Sequence, residues 1–288
     1  MKKTLRIPNY KVLDTKDTEK LELIHGVSLR RPDNNAKGPI GNGNLWSRID
    51  ASYQRKNNQE GEWIIQKEFP EDWSFSYRSL KFKLQLLSNK HIGVFFEQIE
   101  NWKWLEESIR SANRPIRVLN LFGYTGAASL IAAYAGAVEV VHVEASKSTL
   151  NLFKENRTLN EMDDFPIRPI QEDAFKFVER EIKRNHHYDM IILDPPSFGK
   201  GPNGEVWKLE TDLESLLKRI NVLLSDDAFG LLISTYSEKM FPRKLEALVK
   251  QSLEQRSKKV EVFEWHIPIE SKEEQTLNAG LSARVLFK

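Results

Sequence analysis

The sequence predicts an α/β protein whose main sheet is mostly parallel. Over residues 117–256, short apolar segments alternate with segments of helical periodicity, and this alternation is typical of parallel strands joined by crossover helices. The apolar segments at residues 117–119 and 188–193 are those expected for strands buried in a parallel sheet, and residues 138–144 contain a β-branched run that ends in a carboxylate.

The chain is organised around residues 120–126, with the sequence Asn-Leu-Phe-Gly-Tyr-Thr-Gly, which follow the first of these strands. The alanine-rich residues 127–136 come next and predict a helix, since alanine loses no side-chain entropy there. Thr125 is expected to cap the start of this helix, and Gly136 its end. We expect Gly123 to leave space for a ligand that approaches the backbone. Such a turn is where α/β sheets bind ligands, although an ordinary tight turn would have a similar sequence.

Acidic residues follow two further strands. Glu144 ends residues 138–144, where nucleoside-binding α/β folds place the acid that accepts hydrogen bonds from ribose hydroxyls. Asp173 follows the strand-like residues 167–170 and could accept a hydrogen bond from an adenine amino group. Taken alone, Glu144 is more simply interpreted as a solvated acid at a strand end.

A rigid turn follows the strand at residues 188–193. Its sequence, at residues 194–198, is Asp-Pro-Pro-Ser-Phe. Two prolines fix two φ angles and remove two N–H donors, so the backbone carbonyls of this turn are held in one direction. A plain turn rarely needs this rigidity.

In this order and spacing, the four strand ends resemble those of class I S-adenosylmethionine-dependent methyltransferases. More narrowly, residues 120–126, residues 193–199 (Leu-Asp-Pro-Pro-Ser-Phe-Gly) and residues 93–98 (Gly-Val-Phe-Phe-Glu-Gln) are similar to the bacterial 23S ribosomal RNA methyltransferase I and K/L group. The resemblance covers residues 80–288. It implies a Rossmann-like methyltransferase sheet, mostly parallel, with an antiparallel C-terminal strand pair.

The resemblance implies S-adenosylmethionine as the cofactor and carries the site over residue by residue. The predicted cofactor-binding residues are Gln98, Asn120, Phe122, Gly123, Tyr124, Thr125, Gly126, Glu144, Ala145, Ser146, Asp173, Ala174 and Asp194. The predicted catalytic residues are Asp194, Pro195, Pro196 and Phe198. Two positions depart from the group's pattern: Glu144 stands where aspartate is commoner, and Ile99 where arginine is common.

The turn at residues 194–198 indicates the kind of acceptor atom. In this motif the carbonyl after the aspartate accepts a hydrogen bond from an exocyclic amine, and the aromatic ring stacks on the base. Here Ser197 places Phe198 one position late, as in the ribosomal RNA group. Guanine N7 has its own lone pair and needs no base, so it stays open as a second target.

Composition excludes several kinds of chemistry and location. The chain has no cysteine, and methylation at cytosine C5 uses a cysteine nucleophile in the enzymes that this chain resembles. The six histidines show no ligand spacing, so we predict no metal. No apolar run reaches membrane-spanning length, and the N-terminus lacks the apolar core of a signal peptide. We therefore expect a cytoplasmic protein without a membrane partner.

Residues 1–90 are predicted to form a small β-rich module, and residues 91–288 the methyltransferase domain. In the module, strands are predicted at residues 10–13, 21–29, 63–67 and 80–84, with a charged loop at residues 14–20 and an exposed loop at residues 32–44. The first 100 residues contain 17 Lys and Arg against 13 Asp and Glu, a modest bias that is compatible with a polyanionic partner.

Aromatic and basic residues interleave between residues 45 and 87, a pattern that suits RNA binding through stacking and phosphate pairing. The aromatic residues of this segment are Trp46, Tyr53, Trp63, Phe69, Trp73, Phe75, Tyr77 and Phe82. For each of them taken singly, we favour a place in the core of a small β domain.

In the second domain, further elements follow from periodicity. Helices are predicted at residues 97–112, 146–160, 175–185, 207–224 and 238–256, with Ser146 as the candidate cap of the second. Strands are predicted at residues 228–235, 260–265 and 281–287, and the last two are expected to pair antiparallel because no helix separates them. The glycines of residues 199–204 are typical of a mobile lid.

The sequence therefore predicts an S-adenosylmethionine-dependent methyltransferase that acts on a base nitrogen of ribosomal RNA. A nucleotide-binding dehydrogenase is disfavoured because the third glycine of Gly-x-Gly-x-x-Gly is missing. A methyltransferase-like RNA-binding module without catalysis is disfavoured by the intact Asp-Pro-Pro. A methyltransferase for proteins or small molecules stays open, and the sequence does not indicate the oligomeric state.

Overall fold

The computed structural model describes residues 1–56, 61–201, 204–253 and 256–287, apart from the side chain of Lys200. The strands in these ranges are β1 Lys2–Thr4, β2 Tyr10–Lys16, β3 Glu19–Ile24, β4 Val27–Pro32, β5 Ala51–Arg55, β6 Gly61–Ile65, β7 Ser74–Tyr77, β8 Leu80–Lys83, β9 Arg117–Leu121, β10 Glu139–Glu144, β11 Ile167–Gln171, β12 Met190–Leu193, β13 Phe198–Lys200, β14 Val206–Lys208, β15 Gly230–Thr235, β16 Lys259–Pro268 and β17 Thr276–Leu286. The helices are α1 Ile99–Ser111, α2 Ala127–Tyr134, α3 Lys147–Leu159, α4 Ala174–Lys183, α5 Leu209–Leu223 and α6 Pro242–Leu253.

The chain divides into two compact units. The first comprises Met1, Glu100–Glu264 and Gly280–Lys288. The second comprises Lys2–Ile99 and Trp265–Ala279. The second unit thus combines an N-terminal segment with a short segment near the other end of the chain, which a division at residue 90 does not include.

The largest sheet has the strand order β1-β16-β17-β15-β12-β9-β10-β11. Strand β9 pairs in parallel with both β10 and β12, and β10 with β11. Strand β15 is parallel to β12 and antiparallel to β17. Hydrogen bonds from the Lys258 N–H to the Leu286 carbonyl and from the Ile269 N–H to the Gln275 carbonyl make β16 and β17 antiparallel. The predicted fold class, a mostly parallel sheet with an antiparallel C-terminal pair, is confirmed.

One face of this sheet packs on helices α4, α5 and α6. Alternate residues of each strand point to that face, as the two-residue period of a strand requires. They are Leu119 and Leu121 on β9, Val141 and Val143 on β10, Ile191 and Leu193 on β12, and Leu231 and Ile233 on β15. All eight are at most 1% exposed. Because the ends of these strands are buried in the core, the positions at which the following turns begin are fixed.

The second unit contains a five-stranded sheet in the order β2-β3-β4-β5-β6 and a separate hairpin, β7-β8. The predicted charged loop at residues 14–20 is wrong, because Asp17 and Thr18 alone form the turn between β2 and β3. Both have positive φ angles, 31° and 70°. The predicted single strand at residues 21–29 is also two strands, β3 and β4. His25 and Gly26, with φ angles of 47° and 85°, turn the chain between them, as two-residue hairpin turns require.

Most aromatic residues of residues 45–87 belong to the core of the second unit. Those less than 9% exposed are Tyr53, Trp73, Phe75, Tyr77 and Phe82. Trp46, Trp63 and Phe69 are partly exposed. The preference for core positions is thus confirmed for five of the eight aromatics.

The predicted helices form, with three displaced starts. Helix α1 begins at Ile99 rather than residue 97, because Phe96–Gln98 form a 3₁₀ turn. Helix α5 begins at Leu209 rather than residue 207, since Trp207 lies on strand β14. Helix α6 begins at Pro242 rather than residue 238; residues 254 and 255 of that prediction lie outside the described residues. In the part of the chain that the structure describes, no helix is long and apolar enough to cross a membrane.

The turn between β9 and α2 packs closely against the side chains of His142 and Phe153. A Cβ atom built on Gly123 would lie 2.4 Å from the His142 ring. The expectation that this glycine clears space for a ligand is therefore wrong, because the His142 ring fills the space. A Cβ on Gly126 would lie 2.1 Å from Cδ2 of Phe153.

Gly126 also sets the start of helix α2. It occupies the N-cap position with φ of 90°, a left-handed conformation, and no side chain caps this helix. Thr125 is therefore not the cap that the sequence predicted. At the other end, Gly136 has φ of 104°. Its N–H donates to the Ala133 carbonyl, and the Ala137 N–H to the Ala132 carbonyl, which is a Schellman motif and confirms Gly136 as the terminating residue.

A chain of buried polar groups supports the turn. The Asn120 side chain donates to Ser129 Oγ at 2.9 Å, and Ser129 Oγ lies 2.9 Å from His142 Nδ1. The His142 ring stacks on Phe153 with centroids 4.2 Å apart. Complete burial lowers the pKa of His142 to about 3, so this imidazole is neutral at pH 7.

Substitution of Gly126 and Gly136 separates backbone strain from crowding. Gly136→Ala meets no atom within 4 Å, so we expect it to lower the free energy of unfolding by about 1–2 kcal/mol through its left-handed φ alone. Gly126→Ala has the same kind of φ and also overlaps Phe153, which adds roughly 1–3 kcal/mol. Urea unfolding of the two variants measures the difference. Equal losses would mean that Phe153 does not crowd the turn.

His142 predicts a pH dependence of stability. In the unfolded chain its pKa is about 6.5, and in the folded protein it is about 3. The unfolded state therefore binds the extra proton below pH 6.5, and stability falls as the pH drops from there towards 3. His142→Phe should reduce the slope of unfolding free energy against pH by up to about 1.4 kcal/mol per pH unit in this window. Parallel slopes for wild type and variant would contradict a neutral buried imidazole.

Candidate functional site

The parallel register brings the four predicted strand-end motifs to one edge of the sheet. Leu121, the last residue of β9, lies beside Val143 of β10 and Leu193 of β12. Glu144 of β10 lies beside Gln171 of β11. The four predicted motifs therefore leave the sheet at the same level. The strand order also reverses at β9, and this is the position where open α/β sheets bind ligands.

Glu144 closes the turn on its outer side. Its Oε2 accepts a hydrogen bond from the Tyr124 N–H at 3.0 Å, and its Oε1 one from the Ser146 N–H at 2.8 Å. Burial raises the pKa of Glu144, while hydrogen bonds from backbone N–H groups act in the opposite direction. Since an ionised carboxylate has about four acceptor positions, Glu144 retains acceptor capacity beyond its hydrogen bonds with the backbone. This arrangement fits a pair of ribose hydroxyls.

The turn itself holds two residues in unusual conformations. Phe122 and Tyr124 have φ angles of 57° and 51°, which non-glycine residues adopt only where the surroundings impose it. The Gly123 N–H donates to the Val143 carbonyl at 2.9 Å, and the Asn156 side chain donates to the Thr125 carbonyl at 3.0 Å. Asn120 is 2% exposed, so its side chain lies beneath the turn, as a support. The backbone path of the turn at residues 120–126, which we call the cradle, is thus fixed by contacts within the protein.

Two predicted residues cap helices next to the turn. Ser146 caps α3, with Oγ accepting from the Thr149 N–H at 3.3 Å, as its sequence position predicted. Asp173 caps α4, with Oδ1 accepting from the Lys176 N–H at 3.1 Å. The second oxygen of Asp173, Oδ2, accepts no hydrogen bond from the residues that the structure describes. This oxygen and the Ala174 position remain compatible with adenine binding.

The backbone carbonyls of the turn after β12 differ in whether they accept hydrogen bonds within the protein. The Pro196 carbonyl accepts a hydrogen bond from Trp207 Nε1 at 2.6 Å, and the Ser197 carbonyl one from the Leu209 N–H at 3.1 Å. The Pro195 carbonyl accepts none among the described residues. Asp194 directly follows β12 and is partly buried. One carbonyl beside this carboxylate can therefore receive a donor from a ligand.

A hairpin, β13-β14, follows this turn where a lid was expected. Phe198 pairs with Lys208, and Gly199 with Trp207. The tip of the predicted lid, residues 202 and 203, lies outside the described residues, so the lid stays a prediction. Phe198 is 51% exposed and Trp207 only 7%. The two aromatic residues thus lie on opposite sides of the hairpin.

Trp207 is the residue that sequence reasoning missed. It was placed at the start of a helix, and no motif singled it out. The available signal was a single tryptophan about ten residues beyond an Asp-Pro-Pro turn, with glycines between them, which is compatible with a hairpin but does not require one.

Gln98 belongs to the second unit and is 7% exposed. It ends a 3₁₀ turn, Phe96–Gln98, that directly precedes α1. Burial raises the pKa of the neighbouring Glu97 to about 7, and the nearby Lys20 and Arg31 limit that rise. Among the described residues, no group of three or more His, Asp or Glu side chains could hold a metal ion.

Comparison with known proteins agrees with this geometry. A family model described as S-adenosylmethionine-dependent methyltransferase matches residues 46–255. A crystal structure of a methyltransferase of this kind from Agrobacterium tumefaciens is 34% identical, with a TM-score of 0.91, and the match covers 100% of this chain and 94% of that one.

Two curated relatives are ribosomal RNA methyltransferases. The large subunit methyltransferase K/L of Shewanella frigidimarina is 34% identical over 58% of this chain and 23% of its own length. The large subunit methyltransferase I of Tolumonas auensis is 31% identical over 54% of this chain and 39% of its own length. The matched part is thus well under half of either relative.

The family match spans the β9 turn, Glu144, Asp173 and the turn after β12, which are the strand ends that the sheet brings to one edge. S-adenosylmethionine is the cofactor of this family, and the open acceptor positions of Glu144 fit its ribose. The chain belongs to the S-adenosylmethionine-dependent methyltransferase family.

Proposed function

We propose that this chain methylates a nitrogen atom of an RNA base, and that the RNA is ribosomal, of the 23S type. The observation that carries the proposal is the pairing of Leu121 with Leu193. It sets the cofactor turn, residues 120–126, beside the turn at residues 194–198. A ribosomal substrate also implies a cytoplasmic location.

The cofactor side is assigned as follows. Glu144 binds the two ribose hydroxyls with the acceptor positions that Tyr124 and Ser146 leave open. Asp173 Oδ2 accepts a hydrogen bond from the adenine amino group, and the Ala174 N–H at the start of α4 donates one to an adenine ring nitrogen. The residues from Phe122 to Gly126 line the remainder through their backbone, and Gln98 is assigned to cofactor binding from the family motif alone.

When bound, S-adenosylmethionine supplies a methyl group that is already activated, so the protein mainly contributes position and electrostatics. The Pro195 carbonyl accepts a hydrogen bond from the acceptor amine and orients its lone pair. The Asp194 carboxylate stabilises the positive charge that develops on that nitrogen. Phe198, half exposed at the start of the hairpin, offers a stacking surface for a base that has left its helix.

RNA is the proposed partner for two reasons. Both curated relatives quoted above are named for ribosomal RNA. In the second unit, Lys16 Nζ lies 4.8 Å from the ring centroid of Trp46, and Arg30 Cζ lies 6.0 Å from it. A partly exposed aromatic ring with two cations beside it suits a nucleotide, through stacking and phosphate pairing. The assignment of RNA binding to residues 1–90 stays a prediction.

Glu144→Ala tests the cofactor assignment. Loss of both acceptors should weaken binding of S-adenosylhomocysteine by roughly 1–3 kcal/mol, because the ribose hydroxyls lose their partners. The variant also removes acceptors for the Tyr124 and Ser146 N–H groups, so Glu144→Gln, which retains one acceptor oxygen, serves as the intermediate case. Calorimetry measures all three proteins. Wild-type affinity in Glu144→Ala would contradict the assignment.

Burial raises the pKa of Glu144, so the affinity of the wild type should start to fall at a higher pH than it would for an exposed glutamate. Protonation removes acceptor capacity from the carboxylate, and affinity is therefore expected to decrease as the pH is lowered. The Glu144→Gln variant should show no such decrease, since an amide does not titrate.

Asp194→Ala and Phe198→Ala test the acceptor side. Asp194→Ala should reduce turnover far more than it weakens cofactor binding. Phe198→Ala should mainly raise the RNA concentration needed, by the equivalent of about 1–3 kcal/mol for one stacked base. Val206→Ala is the matched control, because Val206 is 53% exposed on the same hairpin but has no ring.

The measurement is nucleoside mass spectrometry of ribosomal RNA from cells that lack the protein, treated with each variant and the methyl donor. Recovery of 5-methylcytidine or a ribose-methylated product would contradict a nitrogen target. Undiminished activity in Asp194→Ala would contradict the site. No transfer to RNA, together with normal cofactor binding, would favour a protein or small-molecule acceptor.

A further inference from the structure

The β13-β14 hairpin has an inner side that the proposed function does not use. The register places Trp207 opposite Gly199. A Cβ on Gly199 would lie 3.8 Å from the Trp207 Cβ and 3.5 Å from the Pro196 Cγ. Trp207 thus fills the space between the hairpin and the turn that precedes it, while Phe198 and Val206 are exposed.

Trp207 contacts three segments that carry predicted site residues. Its Nε1 donates to the Pro196 carbonyl at 2.6 Å. Its ring centroid lies 5.1 Å from that of Phe122, in the cofactor turn, and the planes are tilted by 50°. It lies 5.8 Å from that of Phe175, which follows Asp173 and Ala174 at the start of α4. One indole therefore joins the two proposed cofactor contacts to the proposed acceptor turn.

We infer that Trp207 is a positioning residue that fixes the acceptor turn relative to the cofactor turn; this inference rests on the function proposed above. The two prolines fix φ at Pro195 and Pro196, but the ψ angle of Pro196 is still variable. The indole hydrogen bond holds the Pro196 carbonyl and so removes this freedom. The direction of the Pro195 carbonyl, which receives the acceptor amine, then follows from the adjoining rigid peptide groups.

The position of the indole N–H distinguishes this role from simple packing. Contact with Phe122 and Phe175 needs only an aromatic ring, which phenylalanine also supplies. The bond to Pro196 needs a donor, which the tryptophan indole N–H supplies and phenylalanine lacks. Trp207→Phe therefore keeps much of the packing and removes the hydrogen bond.

Trp207→Phe is compared with Trp102→Phe. Trp102 is 3% exposed, lies in the same unit on helix α1, and that helix holds none of the predicted site residues. We expect the two variants to unfold at similar temperatures and to bind S-adenosylhomocysteine much as the wild type does. In Trp207→Phe, kcat for methyl transfer to RNA should fall roughly ten- to a hundredfold with little change in KM, the scale expected for a misplaced reacting group. Trp102→Phe should retain the wild-type kcat.

A wild-type kcat in Trp207→Phe would overturn the inference. Loss of cofactor affinity and of thermal stability in proportion to kcat would overturn it as well, because it would show that Trp207 only supports the fold.

A second measurement does not depend on the acceptor. In ¹⁵N-labelled protein, the indole N–H resonances of Trp207 and Trp102 are assigned from the two variants. Saturation with S-adenosylhomocysteine should shift the Trp207 resonance, because its ring contacts Phe122, and leave that of Trp102 in place. An unmoved Trp207 resonance would overturn the coupling, whereas a shift without methyl transfer to any RNA would leave it standing and refute the RNA proposal alone.

Discussion

The site depends on the pairing of β9 with two parallel neighbours. Because β10 and β12 flank β9 in register, three consecutive turns leave the sheet at one level. The last apolar residues of the strands, Leu121, Val143 and Leu193, are at most 1% exposed and so cannot shift along their strands without losing core contacts. A shift by one residue would also exchange the two faces of a strand. The positions of the acidic residues are therefore consequences of core packing.

The turn at residues 120–126 is rigid because buried side chains of the protein pack against it. His142 takes the space that Gly123 leaves, and Phe153 takes the space beside Gly126. Ser129, which accepts a hydrogen bond from Asn120, bonds to Nδ1 of His142. A neutral imidazole is needed in this position, since a charged one would be buried without a carboxylate partner. The glycines of the motif are thus explained by the protein's own packing, and the ligand is left to bind the backbone and Glu144.

The sequence was sufficient where a local pattern determines structure. Continuous apolar strands, the Gly136 helix end and the Ser146 cap were predicted because each depends on residues within a few positions of one another. It was insufficient where the local structure depends on contacts with residues far away in the sequence. Thr125 lost its capping role because Gly126 takes the left-handed position under Phe153, and Trp207 entered a strand because it pairs with Gly199. The His25-Gly26 turn was local but lacked the usual Asn-Gly or Asp-Gly signal.

Deletion of residues 1–90 cannot test the role of the second unit, because this unit also includes a C-terminal segment that contacts them. Asp14 accepts hydrogen bonds from the Gly41 and Asn42 N–H groups, the Trp46 indole and the Ser271 hydroxyl, and Lys272 Nζ donates to the Thr15 carbonyl at 2.7 Å. Deletion of residues 1–90 would leave Ser271 and Lys272, both in the C-terminal part of the chain, without these partners. A loss of activity after such a deletion would therefore not identify an RNA-binding module. Substitution of Lys16 and Arg30, whose cationic groups lie beside Trp46, changes the charge without removing the Asp14 network. A salt-dependent loss of RNA affinity in those variants would be attributable to phosphate contacts.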